Sequence, residues 1–293
     1  MKDKLKKQWF LCGLVLIFSL VIFDSSATLA RAGIWLKSHN GSAVMIFSIF
    51  LASGLIIEVD QIRAGIRDMA ATGAALFTIV VTAPLIAAAI MRLPLEPGVM
   101  IGLALVAVMP TTLSSGVVMT GQAKGNMAHA LFVTILSNCT AILTVPLILP
   151  WMVAGVRESG EIHIDQVAIF VKLFLLVLLP LLAGLGLKKY LAIPAKIKKK
   201  LGILNQLIVL GIVFMSLSGA REVLMAKSTV VFSILPLVVI YHLILLAAAR
   251  ALAALLKIGP QRRESVLFMG AQKTLPLAVM LQITCFPEFA TAL

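Results

Sequence analysis

Apolar residues in this chain neither alternate with polar ones nor keep to one helical face; they run together in long blocks. Nine stretches qualify as membrane spans, roughly 9–29, 41–59, 69–91, 98–122, 127–155, 164–186, 202–219, 229–256 and 264–286. A bilayer core of about 30 Å takes about 20 apolar residues in a helix. The blocks are rich in Leu, Ile, Val and Ala, without the period-two pattern of a transmembrane β-barrel. The pattern predicts an all-α polytopic membrane protein with nine complete spans. After the ninth, Phe286 to Leu293 reads as the start of a tenth span, truncated in the sequence given.

Composition agrees. Of 293 residues 61% are hydrophobic and 13% charged, and the mean hydropathy is +1.08. Too few polar residues remain to cover a water-soluble fold, so the partner of the surface is a lipid bilayer. The formal charge of +13 would suggest nucleic acid in a soluble protein; here its distribution matters more. With loops assigned alternately, seventeen Lys and Arg residues fall on the side of the amino terminus. Arg31, Lys37, Arg92, Arg157, Arg221 and Lys227 fall on the other, and Lys172 and Lys273 lie within spans. By the positive-inside rule the amino terminus is cytoplasmic, and the expected location is a bacterial inner (plasma) membrane, with no nucleic-acid partner. Trp9, Trp35 and Trp151 fall at span ends, as an interfacial belt would have it. The Ala27-Thr28-Leu29-Ala30 sequence resembles a signal-peptide end, but an uncleaved first span is favoured. Cys12, Cys139 and Cys285 form no metal or redox motif.

Prolines divide the chain in two. Counting five spans per half, the third spans carry Pro84 and Pro236, and the fourth spans carry Pro110 and Pro276 beside polar clusters. Thr112-Leu113 with Val118-Met119 is echoed by Thr274-Leu275 with Val279-Met280, one residue out of register. Halves with an odd number of spans insert in opposite directions, the inverted-repeat plan of many secondary transporters. The expectation is one transporter domain over 1–293, with repeat one at about 9–155 and repeat two at about 164–293.

The same places hold the candidate chemistry. In span four, Thr111, Thr112, Ser114, Ser115 and Thr120 surround a break made by Pro110 and Gly116. One such hydroxyl would simply bond its own helix; five around a break point to a binding site, because irregular backbone at this depth is tolerated only against protein or a watery cavity. In span five, Thr134, Ser137 and Asn138 share a face, either for helix–helix hydrogen bonds or as oxygen ligands for a hard cation such as sodium. Span nine carries Gln272, Lys273, Thr274 and Pro276. A charged Lys at a span centre costs about 2.5–3.5 kcal/mol, and no Asp or Glu lies mid-span to pair with Lys273. Three readings stay open: it remains charged against broken-helix carbonyl ends, it holds an anionic substrate, or it exchanges a proton. Lys172, near a span end, reads as a snorkelling residue. His129, His163 and His242 make no metal spacing, Glu58 to Asp68 read as a charged cap, and no cofactor is expected.

These segments resemble the bile acid:sodium symporter family, most closely its sodium/bile acid cotransporter 7-like branch. The likeness is densest from Met109 through Thr120, on to Gly125-Asn126 and Thr134, and again from Gly270 to Leu275. It implies ten helices in inverted five-helix repeats, a panel of spans 1, 2, 6 and 7, and a core of spans 3, 4, 5, 8 and 9 in which two broken helices cross. It also implies symport of an organic anion with sodium, and it places Ser115, Thr134 and Gln272 on sodium-ligating positions. This chain departs from the sodium-coupled pattern at Gly116, Ala130, Phe268 and Lys273. Phe268 stands where the acidic ligand would be.

The expected function is secondary active transport of a small organic anion by alternating access, through Thr112, Ser114, Ser115, Thr134, Ser137, Asn138, Gln272, Lys273 and Thr274. Lys273 supplies the charge that sodium would bring, so sodium coupling is doubted and a proton is the other candidate coupling ion. A regulatory membrane protein or an intramembrane enzyme is the alternative. Against an enzyme stands the lack of a carboxylate pair or a nucleophile beside a base. The sequence sets no oligomeric state.

Overall fold

The computed structural model describes residues 2–57, 68–112, 115–156, 164–191, 193–226 and 228–286, which contain helices and no strand. In chain order these are α1 (Lys2–Phe23), α2 (Thr28–Ser38), α3 (Gly41–Ile56), α4 (Met69–Ile90), α5 (Pro97–Val108), α6 (Ser115–Gln122) and α7 (Met127–Val153). They continue as α8 (Gln166–Tyr190), α9 (Ala195–Ala226), α10 (Ser228–Leu255), α11 (Arg262–Ala271) and α12 (Leu275–Cys285). Among the described residues six spans are long and apolar enough to cross a membrane, or seven if α1 and α2 count as one bent span. The 16-residue α3 and the 12-residue α5 are apolar but shorter. The tail at 287–293, expected to open a tenth span, lies outside the described residues, as do Arg157, His163, Lys227 and the cap residues from Glu58 to Arg67.

The first span differs from its sequence reading. The apolar block 9–29 contains Asp24, and there α1 ends; the chain turns by 110° into α2, where a loop was expected. The Asp24 carboxylate accepts the Ser26 and Leu29 N–H groups at 3.0 and 2.8 Å. Arg221 of α9 donates to the Val21 and Asp24 carbonyls at 2.9 and 2.7 Å. Helix ends leave carbonyls without partners, and a cation answers them here. Lys188 of α8 serves Ile57 O after α3 in the same way.

Small residues set how closely the helices approach. At the α3–α8 crossing, a Cβ built on Gly54 would lie 2.3 Å from Leu181 O, and one on Gly184 would lie 2.3 Å from Leu51 O. The two backbones touch there, and any side chain would force them apart. α3 packs against α8, α9 and α2, and α1 lies on α9; α4 to α7, α10 and α11 pack mainly on one another, and α12 touches α3 and α9 as well as α5.

Candidate functional site

The block expected as span four is two helices with a break. The residue before a proline is pushed out of the helical region, and Met109 is extended at φ −67°, ψ 147°. Its N–H turns back to Val106 O at 3.3 Å, so α5 stops with carbonyls unanswered. The α6 start is capped locally. Thr112 Oγ1 accepts the Gly116 N–H at 2.9 Å and the Ser115 hydroxyl at 2.8 Å. A Cβ on Gly116 would meet Met269 Sδ at 3.0 Å and Thr112 Oγ1 at 3.2 Å, so glycine lets α6 sit against α11. Ser114 lies outside the described residues.

The last long block breaks likewise. Gln272 and Thr274 are extended between α11 and α12, and Pro276 occupies the first turn of α12, where its missing N–H costs nothing. The Thr274 N–H donates to Pro110 O at 2.9 Å, so the two breaks meet backbone to backbone.

Between them reaches Lys273. Its Nζ donates to Ala107 O at 2.8 Å, Met109 O at 3.0 Å and Ile79 O at 3.0 Å. An ammonium has three protons to donate, and all three are placed. Two of the acceptors belong to the end of α5, where the helix dipole favours a cation. The third comes from α4. Residues Thr78–Thr82 form a π-helical turn, and Ala83 N–H bonds Thr78 O, five residues back. Ile79 O would next take the N–H of residue 84, which is a proline and has none. Pro84 thus creates the vacancy that Lys273 fills.

On α7, the Asn138 amide donates to Thr134 O at 2.8 Å and Thr111 O at 3.3 Å. Both partners are carbonyls, which fixes the amide nitrogen on that side. Asn138 Oδ1 and Thr111 Oγ1 are buried with no partner. Thr134 donates to Ala130 O at 2.9 Å and reaches Thr112 O at 3.4 Å. Ser137 bonds Thr134 O within its own helix at 3.0 Å.

The structure therefore gathers Thr112, Ser115, Thr134, Asn138, Lys273 and Thr274 about the two breaks, with Gln272 adjacent in the chain. Ser137 joins only through Thr134. A surface cavity of about 740 Å³ lined by Arg92, Met100, Trp151 and Met152 contains none of them. Lys172 does more than snorkel: its Nζ donates to Thr284 Oγ1 of α12 at 3.1 Å. Thr111 stood among the span-four hydroxyls of the sequence, but the Ile79, Ala107 and Met109 carbonyls were not singled out from it. A second polar cluster was also missed: His129, 1% exposed, bonds Ser265 through Nδ1 and Thr72 through Nε2. Nearby, Asp68 and Arg262 form an ion pair at 2.6 Å, and the Asn126 N–H reaches Gln261 O at 2.8 Å, tying the starts of α4, α7 and α11 together.

Comparison with known proteins adds the family. The profile of the SBF-like CPA transporter family matches residues 8–293, and the chain belongs to that family. It is 30% identical over 254 residues to the probable sodium/metabolite cotransporter BASS4, chloroplastic, of Arabidopsis thaliana, covering 82% of this chain and 58% of that protein. The namesake from Oryza sativa subsp. indica is 29% identical over 257 residues, covering 82% and 60%. Sodium/bile acid cotransporter 7-B of Xenopus laevis is 28% identical over 194 residues, covering 64% and 54%. The chain thus spans a little over half the length of these relatives.

Proposed function

We propose that this member of the SBF-like CPA transporter family is a secondary transporter of a small organic anion, working by alternating access, with Lys273 as a tethered substitute for a coupling cation. The observation that carries the reading is the Lys273 ammonium on three carbonyl oxygens at two proline breaks. A free cation would seek the same kind of oxygen cage. Of the three roles open to Lys273 from the sequence, charge against broken-helix ends accounts for these contacts best. The relatives are named for sodium, and Ser115, Thr134 and Gln272 are the ligands to test for it here. Sodium fits these residues poorly: the acidic position is Phe268, and a fixed positive charge lies between the breaks beside them.

The anion is drawn by that charge and by the N–H ends of α6 and α12, which begin at the breaks. Thr112, Ser115, Gln272 and Thr274 are placed to orient it. The same reading includes ten spans in two inverted five-helix repeats and a cytoplasmic amino terminus in a bacterial inner membrane. Two broken spans at corresponding places in the halves support it. The test is a thermal-shift screen of purified protein against organic anions, followed by proteoliposome uptake of a stabilising anion under sodium, potassium and pH gradients. Uptake indifferent to the sodium gradient is expected. Uptake driven by sodium with Lys273 intact would overturn the substitute-cation role, and no uptake of any stabilising anion would overturn transport.

A further inference from the structure

Alternating access requires two sets of helices to part at one end while touching at the other, and the packing differs sharply between the two ends. The helix ends are sorted by their bonds. Asp68 with Arg262 and Asn126 with Gln261 bring the starts of α4, α7 and α11 to one end. Arg221 with Val21 and Lys172 with Thr284 mark the other, where α1, α9 and α12 finish and α8 begins.

One apolar cluster includes both sets and extends to that second end. Phe50 of α3, Leu173 of α8 and Met215 of α9 belong to it together with Leu105, Leu149 and Leu281 of α5, α7 and α12. Toward the first end lies a separate cluster, made of residues such as Ala75, Ile79, Val117, Val133 and Met269. Among the described side chains, none of α1 to α3, α8 or α9 belongs to it. Exposure follows the same division. Nine residues of α5 and seven of α12 are buried, whereas three residues of α6 are buried and Val118 and Met119 are 47% and 37% exposed. On α9 no described residue from Ile208 to Arg221 is exposed, while Ile203, Leu204 and Leu207 are 42%, 45% and 51% exposed around the buried Asn205.

We infer that the structure is the conformation open at the end where α1 begins and shut at the other, and that Lys172 with Thr284 is the latch across the shut end. Lys172–Thr284 is the one side-chain hydrogen bond that joins the two sets among the described residues. Apolar packing closes the seam without favouring one register of approach; a directional bond adds a preference for the shut state, and its loss shifts the population of the two states.

This inference rests on the transport reading, and its test needs no substrate. Met119→Cys on α6 and Met280→Cys on α12 are placed separately in the full chain and labelled with a charged, water-soluble maleimide. Peptide-resolved mass spectrometry reads each site apart from Cys12, Cys139 and Cys285. Met119→Cys labels faster. Adding Lys172→Met shifts the ratio of the two rates toward Met280→Cys by about fivefold, the weight of one ordinary hydrogen bond, and Lys172→Arg returns it toward the original. Protection of Met119→Cys with ready labelling of Met280→Cys overturns the assignment of the open end. A ratio indifferent to Lys172→Met, in protein of unchanged thermal stability, overturns the latch. Either failure leaves anion uptake intact; if uptake fails while labelling behaves as described, the transport reading falls alone.

Discussion

Two helices of this protein contain the same backbone device and use it differently. In α4 a π-helical turn at Thr78–Thr82 is followed by Pro84, and in α8 one at Phe174–Leu178 is followed by Pro180. Each time the residue before the proline bonds five residues back, Ala83 to Thr78 O and Leu179 to Phe174 O. The carbonyl after that acceptor, Ile79 O or Leu175 O, then has only a proline to look to. Ile79 O receives the Lys273 ammonium at 3.0 Å. No side chain among the described residues donates to Leu175 O, and the Leu175 side chain is 47% exposed. Local sequence creates the unanswered oxygen in both helices; the tertiary fold makes a ligand of only one.

Lys273→Met removes the donor and should have the largest effect. Three carbonyls lose their partner, at about 1–3 kcal/mol for each one left buried and unpaired, partly offset by no longer placing a charge at a span centre. Thermal unfolding of the purified variant should begin at clearly lower temperature, and anions should no longer stabilise it. Pro84→Ala comes second. An N–H at position 84 competes with Lys273 for Ile79 O, so the baseline unfolding temperature holds or rises while stabilisation by anions shrinks. Pro180→Ala is the matched control: Leu175 O gains a helical donor worth about 1 kcal/mol, and the response to anions does not change. If Pro84→Ala and Pro180→Ala behave alike in the anion titration, the contrast between the two helices is wrong. Smallest is Tyr241→Phe, which removes a long 3.4 Å hydrogen bond to Ala83 O beside the first π turn. A stability change below about 0.5 kcal/mol is expected, with the anion response retained.

The helical class and the two breaks could be read from the chain, because proline and glycine act locally. Pro110 predicts that α5 must end, and Met109 is extended as a residue before proline should be. Lys273 stood out for the same reason: a charge deep in an apolar block needs an answer wherever the helix goes. Its partners could not be read. That Ile79 O is unanswered follows from the π register of α4, and the sequence shows Pro84 without showing that register. The extent of α1 was misjudged by weighing the block 9–29 as a whole, when Asp24 within it ends the helix. The histidine cluster was missed because His129 lies 57 residues from Thr72 and 136 from Ser265, and each residue alone looks ordinary. Asn138 was legible as a face with Thr134, but its tie to Thr111 O depends on where the break lies.

The central claim is that a lysine of this chain occupies the place of a coupling cation. Its most direct measurement is the unfolding temperature of the purified protein in matched concentrations of sodium, potassium and choline chloride, with Lys273→Met beside the unaltered chain. The account predicts no sodium-specific stabilisation of the unaltered protein, and the appearance of one in Lys273→Met, whose three vacated carbonyls are free to take a small cation. Sodium-specific stabilisation of the unaltered protein, undiminished or lost in Lys273→Met, would contradict it.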